Sequence, residues 1–205
     1  MKTAVLIGAG GHALSTLDCV DENLFKIIGY TDKCMRKDTL FSVPYLGTDY
    51  VLRDLLDQGV SSAICGVGFM GGMNPRSKIY YNLKNLGFEL PIILDESATV
   101  SRVCEIGEGA LIGKNTTVNA GSVVGKMSII NTSAVIEHEN IIGDFCHISV
   151  NTTLCGGVCV GDNTFIGAGT TVIQGVHIGA NVVIGAGSLI LNDVKDNTKV
   201  YGVYK

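Results

Sequence analysis

Two of the four histidines of the chain lie close together in a segment that otherwise favours small and β-branched residues. In the stretch IEHENIIGDFCHIS, His138 and His147 are nine positions apart, and Glu137 and Glu139 flank His138. An imidazole titrates near neutral pH, and a neighbouring carboxylate can orient it and increase its basicity. The pattern therefore predicts that His138 acts as a general base.

A second candidate site is the glycine loop near the start of the chain. Gly8, Gly10 and Ala13 follow an apolar run in the pattern G-x-G-x-x-[GA], which lets backbone amides approach a phosphate closely. Three interpretations are open: a tight turn without a ligand, a site of the NAD type, and a site for a nucleotide-linked metabolite. His12 favours the last because a polar side chain in such a loop can contact the ligand. Asp32 ends the next predicted strand, where it could hold a ribose or sugar hydroxyl.

A strict six-residue repeat runs through the second half of the chain. From Val100 to Ile190 every sixth residue is Val, Ile or Leu, and Leu94 extends the series backwards. A period of six suits a three-sided prism, in which each hexad makes one short strand and one corner. Three hexads then make one coil, and the coils stack at the spacing of β-strands. The repeat predicts a parallel β-helix of about five coils over residues 93–205.

Residues 1–92 follow a different pattern. The runs TAVLIG, KIIGYTD and SSAICGVG predict strands, and the intervening segments HALSTLDCVDEN, DYVLRDLLDQG and PRSKIYYNLKNLG predict helices. This alternation predicts a small, parallel, Rossmann-like α/β domain.

The prism separates the two neighbouring histidines within one chain. Because three hexads complete one coil, positions one and a half hexads apart lie half a circuit from each other. If three prisms pack side by side, His138 of one copy can face His147 of the next, which predicts a homotrimer with active sites between subunits. Zinc is not predicted, because His138, His147 and His177 do not recur at multiples of one coil. His177 is predicted to be an exposed corner residue.

Composition excludes several other classes of protein. The net charge of −4 and the pI near 5.5 leave no basic surface for nucleic acid. No apolar run approaches the ~18 residues of a membrane span. The seven cysteines fit neither a disulfide framework nor a CxxC site, and the first residues read as a strand rather than a signal peptide. A cytoplasmic protein with free thiols is predicted.

The chain resembles the bacterial sugar O/N-acyltransferases of the sialic acid O-acetyltransferase and UDP-4-amino-sugar N-acetyltransferase type. The similar segments are IGAGGHA, NTSAVIEHENIIGDFCHIS and IGAGTTVIQGVHIGANVVIGAGSLILNDV. The resemblance implies a left-handed β-helix, a homotrimer, acetyl-CoA as the donor and a nucleotide-activated sugar held by the N-terminal domain.

The resemblance also implies roles for individual residues. His138 would be the general base and Glu139 the carboxylate that increases its basicity, while His147 of the neighbouring subunit would contact the thioester region of acetyl-CoA. Backbone groups at Ala168 and Ala186 would contact the pantetheine arm. The substrate-binding positions would be Gly10, Gly11, His12, Thr31, Asp32 and Gly68. Tyr204 stands where members of the family often carry a proline that borders the CoA groove.

Together these features predict N-acetylation of a nucleotide-linked (UDP, dTDP or GDP) 4-amino-4,6-dideoxy sugar for surface glycan synthesis. O-acetylation of a sialic acid or a related sugar is the alternative, because the N-terminal pocket chooses the acceptor and the repeat does not. A β-helix scaffold without turnover would leave the EHE sequence at one corner unexplained.

Overall fold

The first part of the chain forms a small α/β domain. A computed structural model describes residues 1–35, 39–40 and 42–205. The N-terminal elements are β1 (Lys2–Ile7), α1 (Gly11–Leu17), β2 (Phe25–Thr31), β3 (Thr39–Leu40), β4 (Val43–Gly47), a 3-10 helix (Asp49–Val51), α2 (Leu52–Asp57), β5 (Ser62–Cys65) and α3 (Pro75–Leu86).

The strands of this domain form one sheet in the order β3-β4-β2-β1-β5. The strands β4, β2, β1 and β5 are parallel, so their carboxyl ends meet at one edge, and β3 runs antiparallel to β4. The predicted parallel α/β arrangement is confirmed. The sequence analysis missed β4 because Pro44 interrupts its pattern.

The first helix is shorter than predicted. The pattern suggested a helix over residues 12–23, but α1 ends at Leu17. Beyond it the chain turns around Asp21, whose carboxylate accepts a hydrogen bond from the backbone N–H of Asn23 (2.8 Å). Aspartate side chains favour such turns over helix interiors, and this turn leads directly into β2.

The second part of the chain is the predicted β-helix. Its two-residue strands are β6 (Ile93–Leu94), β7 (Thr99–Val100), β8 (Glu105–Ile106), β9 (Leu111–Ile112), β10 (Thr117–Val118), β11 (Val123–Val124), β12 (Ile129–Ile130), β13 (Val135–Ile136), β14 (Ile141–Ile142), β15 (His147–Ile148), β16 (Thr153–Leu154), β17 (Cys159–Val160), β18 (Phe165–Ile166), β19 (Thr171–Val172), β20 (His177–Ile178), β21 (Val183–Ile184), β22 (Leu189–Ile190), β23 (Lys199–Val200) and β24 (Val203–Tyr204).

Three parallel sheets make the sides of the prism. Sheet A contains β6, β9, β12, β15, β18, β21 and β23; sheet B contains β7, β10, β13, β16, β19, β22 and β24; sheet C contains β8, β11, β14, β17 and β20. Each strand pairs with the strand one coil later, as in Ile136 beside Leu154. The first residue of each hexad points inward, and the column formed by Ile112, Ile130, Ile148, Ile166 and Ile184 is fully buried.

Sheet A carries the N-terminal domain. Leu111 and Ile129 of sheet A pack in one buried cluster with residues of β1 and α1, and Met127 and Phe145 pack in a second cluster with α2 and α3. Because the two parts share buried contacts, the division at residue 92 stays a prediction. No helix in the described ranges is long and apolar enough to cross a membrane.

Arg76 connects the α/β domain and the β-helix through hydrogen bonds. It lies in the first turn of α3 and is 1% exposed. Its Nε atom donates to the carbonyl oxygen of Met127 in the β-helix (2.9 Å), and Nη1 donates to the carbonyl oxygen of Val67 after β5 (2.6 Å). Beside it, the Asn74 side chain caps α3 and donates to the carbonyl oxygen of Phe145 (2.9 Å). These contacts fix the segment after β5 against sheet A.

Candidate active site

His138 lies at the corner between sheets B and C, next to Glu139. Its Nδ1 atom is 3.1 Å from Glu139 Oε2, and the two side chains are 61% and 76% exposed. Glu139 has a φ of 56°, a left-handed conformation that is uncommon for a long side chain. With a proton on Nδ1 donated to the carboxylate, Nε2 keeps its lone pair free to accept another proton.

The space around the His138 ring depends on a glycine one coil later. A Cβ atom on Gly156 would lie 2.5 Å from both Cε1 and Nε2 of His138. Gly156 does not have a positive φ, so the backbone conformation does not require glycine there. The missing side chain leaves room for the imidazole.

Two buried polar side chains support this corner from inside the prism. Ser122 Oγ donates to the carbonyl oxygen of Glu137 (2.8 Å), and Asn140 Nδ2 donates to the same oxygen (2.5 Å). Asn140 Oδ1 also accepts from the backbone N–H of Val158 (3.0 Å). The peptide group before His138 is therefore held by one side chain from the preceding coil and by one from its own coil. The sequence analysis missed Asn140, although asparagine is a departure from the small and β-branched residues usual at that position.

His147 points from sheet A toward the N-terminal domain and is 6% exposed. Its Nδ1 atom donates to the carbonyl oxygen of Phe69, and its Nε2 atom lies 3.1 Å from Asn131 Nδ2. These partners are satisfied by a neutral imidazole that is protonated at Nδ1 and accepts from Asn131 at Nε2. Asn131 is a second site residue that the sequence analysis did not identify.

His12 approaches His147 from the glycine loop. The two ring centroids are 6.1 Å apart, and a Cβ atom on Gly68 would lie 3.3 Å from the His12 ring. The structure therefore brings three predicted site residues together where the domains meet. The His12 Nε2 atom is buried and has no hydrogen-bond partner among the described residues.

Burial and a nearby cation keep both of these imidazoles neutral. Burial is the main cause that lowers the pKa of His12 to about 3, and Arg76 and His147 lower it further. Burial likewise lowers the pKa of His147 to about 4; the Phe69 carbonyl opposes this effect and Arg76 adds to it. No carboxylate of the described ranges forms an ion pair with Arg76, so its charge acts on the histidines without a counter-ion.

The glycine loop is open where a ligand could approach. At Gly10 and Gly11, no described atom lies within 4 Å of an ideal Cβ position, and neither residue has a positive φ. Neither packing nor backbone conformation therefore explains these glycines. Asp32 holds the loop in place, since its Oδ2 accepts from the backbone N–H of Ala9 (2.9 Å) and its Oδ1 from that of Lys33 (2.6 Å).

Thr31 has a different environment from the other predicted substrate residues. It is completely buried, and its hydroxyl donates to Asp49 Oδ1 (2.7 Å). In this structure Thr31 therefore orients Asp49 rather than facing the open edge of the sheet.

The residues predicted to contact the pantetheine arm lie at another corner of the prism. Ala168 and Ala186 stack one above the other between sheets A and B, where the Gly187 N–H donates to the carbonyl oxygen of Ala168 (2.8 Å). His138 lies at the corner between sheets B and C. One chain therefore does not bring His138 together with Ala168 and Ala186. Among the described residues, no group of three or more His, Cys, Asp or Glu side chains is arranged to hold a metal ion.

Comparisons with known proteins agree with this architecture over the whole chain. Residues 3–83 match the family model of the PglD N-terminal domain, and residues 160–192 match that of the bacterial transferase hexapeptide (six repeats). A variant of perosamine N-acetyltransferase from Caulobacter crescentus, solved with CoA and GDP-perosamine, is 32% identical; the match covers 98% of this chain and 94% of that one, with a TM-score of 0.92. The chain belongs to the hexapeptide-repeat sugar acyltransferases.

Further structures support this assignment at different levels. The acetyltransferase domain of PglB from Neisseria gonorrhoeae, solved with acetyl coenzyme A, is 30% identical to this sugar acyltransferase; the match covers 98% and 96% of the two chains, with a TM-score of 0.89. WeeI from Acinetobacter baumannii, at 19% identity and a TM-score of 0.85, shows the shared fold alone. No curated protein matches the sequence. The predicted family, the left-handed β-helix and the acyltransferase class are confirmed.

The low pKa of His12 makes the stability of the acyltransferase depend on pH. An unfolded histidine titrates near 6.5, so between that pH and about 3 the unfolded chain binds more protons than the folded one. The free energy of unfolding should therefore fall as the pH drops below about 6.5. We expect Tm to decrease between about pH 7 and about pH 4.5, and His12→Gln to reduce that decrease because glutamine does not titrate. Parallel Tm curves for the two proteins would contradict a buried neutral His12.

Proposed function

We propose that the enzyme transfers the acetyl group of acetyl-CoA to the amino group of a nucleotide-linked 4-amino-4,6-dideoxy sugar in surface glycan synthesis. The exposed His138–Glu139 pair carries this proposal, because it presents a free Nε2 lone pair beside a glycine. The similar perosamine N-acetyltransferase was solved with CoA and GDP-perosamine, and these ligands support the classes of donor and acceptor. The buried free thiols Cys19, Cys65 and Cys146 favour a reducing cytoplasm as the place of the reaction.

The nucleophile is the neutral amine of the sugar. The reaction needs a base, because the nitrogen must lose a proton as it forms the new bond. His138 Nε2 takes the proton that the nitrogen loses as it bonds to the thioester carbonyl carbon. Glu139 accepts a hydrogen bond from Nδ1 and stabilises the imidazolium that forms. When the C–S bond breaks, the same proton passes to the sulfur of CoA. The thioester is already activated, so no acyl-enzyme is required.

The acceptor belongs in the N-terminal domain. The open surface above Gly10 and Gly11 suits a diphosphate, which backbone amides can approach closely. The sugar would then extend toward His12, Gly68 and His147, the group of residues where the domain meets sheet A. The neutral imidazoles of His12 and His147 add no positive charge beside the amine as its nitrogen gains positive charge during the attack.

We propose that a complete site takes residues from two chains of a homotrimer. His138 occupies the corner between sheets B and C, whereas Ala168, Ala186 and Asn131 lie at the corner between sheets A and B. In a cyclic trimer, the first corner of one subunit can face the second corner of the next. The pantetheine arm would run along Ala168 and Ala186 and bring the thioester to the neighbour's imidazole. His147 then lines the same cleft.

A substrate panel tests the proposed function. Purified enzyme is mixed with acetyl-CoA, a thiol reagent and, separately, UDP-, dTDP- and GDP-linked 4-amino-4,6-dideoxy sugars and a sialic acid. We expect release of free CoA with one of the nucleotide-linked amino sugars, because only a neutral amine held near His138 meets the thioester. Release with the sialic acid alone would make the enzyme an O-acetyltransferase. If no acceptor leads to the release of free CoA, the proposal is contradicted.

Replacing the proposed base separates catalysis from donor binding. His138→Ala should lower kcat by ~10²–10⁴, the usual contribution of a general base. Binding of acetyl-CoA, measured by calorimetry, should be retained, because the pantetheine contacts come from another corner. His177→Ala is the matched control, since His177 is also an exposed histidine of the β-helix and has no proposed role. Unchanged turnover in His138→Ala would remove this residue from the mechanism.

The glycine beside the base provides an independent test of geometry. Gly156→Ala places a methyl group where the His138 ring lies, so the ring must move while every ionisable group is retained. A misplacement of about 1 Å can cost roughly 10²-fold in rate, so we expect a loss in kcat of that order. The pH dependence of the remaining activity should keep its shape, because the base is unchanged. Wild-type kcat in this variant would show that the ring position is not critical.

A further inference from the structure

A cleft lies at the same sheet edge as the glycine loop. It has a volume of about 400 Å³ and is lined by Lys33, which follows β2, by Thr48, Asp49 and Tyr50, which follow β4, and by Asn82 of α3. We propose that this cleft binds the nucleobase of the acceptor and that Asp49 selects guanine over uracil and thymine. The inference rests on the proposed function, since it assigns the base of the same nucleotide-linked sugar.

The order of the strands places the cleft where the base must lie. The sheet runs β4-β2-β1-β5, and all four carboxyl ends share one edge. The glycine loop follows β1, and the group formed by His12, Gly68 and His147 lies on the β5 side of that loop. A ligand whose diphosphate covers the loop and whose sugar reaches His147 must therefore extend its base over β2 and β4. The cleft occupies that position.

Asp49 is an exposed carboxylate with a fixed orientation. Its Oδ1 atom accepts a hydrogen bond from the hydroxyl of Thr31 (2.7 Å), and Thr31 is completely buried at the end of β2. Because the buried Thr31 hydroxyl already orders the Asp49 side chain, the remaining acceptor positions of the carboxylate can bind a ligand with a smaller loss of conformational entropy. This contact also explains why a threonine stands at a position that no ligand can reach.

The chemistry of a carboxylate discriminates between the three bases. Ionised Asp49 accepts hydrogen bonds and cannot donate them. Guanine offers two adjacent donors, N1–H and N2–H, which pair with the two oxygens of one carboxylate. Uracil and thymine offer one N–H between two carbonyl oxygens, and those oxygens would face the negative charge. Asp49 is therefore complementary to guanine and repels the pyrimidine alternatives.

Tyr50 supplies a surface for the ring. Its side chain is 94% exposed next to the cleft, an unusual environment for an aromatic residue. Bases of any type stack on such a ring, so Tyr50 would contribute affinity without choosing the base. Lys33 lines the cleft and follows β2, the strand next to β1 and its glycine loop, so its ammonium group would attract the diphosphate. Tyr50 and Lys33 would thus contribute to the affinity for the nucleotide, whereas Asp49 would determine the selectivity for its base.

Calorimetry with GDP, UDP and dTDP alone tests the assignment on the full-length enzyme. We expect GDP to bind roughly 10- to 100-fold more tightly than UDP or dTDP, which is the discrimination that a two-point hydrogen-bonded pair provides. Asp49→Asn should abolish this preference by weakening GDP binding, and its amide oxygen still accepts from Thr31. Asp54→Asn, which removes a nearby exposed carboxylate on α2, should leave the preference unchanged. Tyr50→Ala should weaken the binding of GDP, UDP and dTDP by similar factors.

The results separate this inference from the proposed function. Tighter binding of UDP or dTDP than of GDP, or a GDP preference that persists in Asp49→Asn, would overturn the guanine assignment. If CoA is still released with an amino sugar linked to another nucleotide, the proposed function stands without it. If none of the three nucleotides binds and no nucleotide-linked amino sugar releases CoA, both proposals fail.

Discussion

The register in which the coils stack determines the position of every functional group in the β-helix. Each coil donates backbone hydrogen bonds to the coil that follows it, as from the Ile129 N–H to the carbonyl oxygen of Cys146 (2.9 Å) and from the Glu137 N–H to that of Leu154 (3.0 Å). The buried inward column prevents slippage, because a shift by one residue would turn apolar side chains outward. This register places Gly156 over His138, and the absence of a side chain on Gly156 leaves the space that the imidazole occupies.

A buried cation couples the two halves of the molecule. Burying a guanidinium without a carboxylate costs several kcal/mol unless its donors are satisfied. Arg76 donates to carbonyl oxygens on both sides of the domain boundary, at Val67 and at Met127. The same segment after β5 supplies the Phe69 carbonyl that orients His147. Arg76 therefore contributes both to the docking of the domains and, in addition to burial, to the neutral state of His12 and His147.

In the proposed function, recognition of the acceptor and its reaction involve different parts of the chain. The glycine loop and the cleft beside Asp49 belong to the α/β domain. His138, the proposed general base, lies at the corner between sheets B and C, whereas sheet A packs against that domain. In the proposed trimer, the subunit that holds the acceptor and the one that deprotonates it are different. Such a division lets the acceptor pocket change its specificity while the corner that carries His138 and Glu139 stays the same.

The sequence alone determined the β-helix and its corners, because a six-residue period with inward Val, Ile and Leu has few structural solutions. The sequence also predicts His138 as a general base, since carboxylates beside a histidine break the pattern of the corners. Only the tertiary structure shows the hydrogen-bond partners of Arg76, Asn131 and Asp49. Each of these side chains acts through a partner from another part of the chain: Met127 for Arg76, His147 for Asn131 and Thr31 for Asp49. The periodicity of the sequence predicts whether a side chain points into or out of the prism. It does not predict which backbone or side chain from a distant part of the sequence packs against that residue.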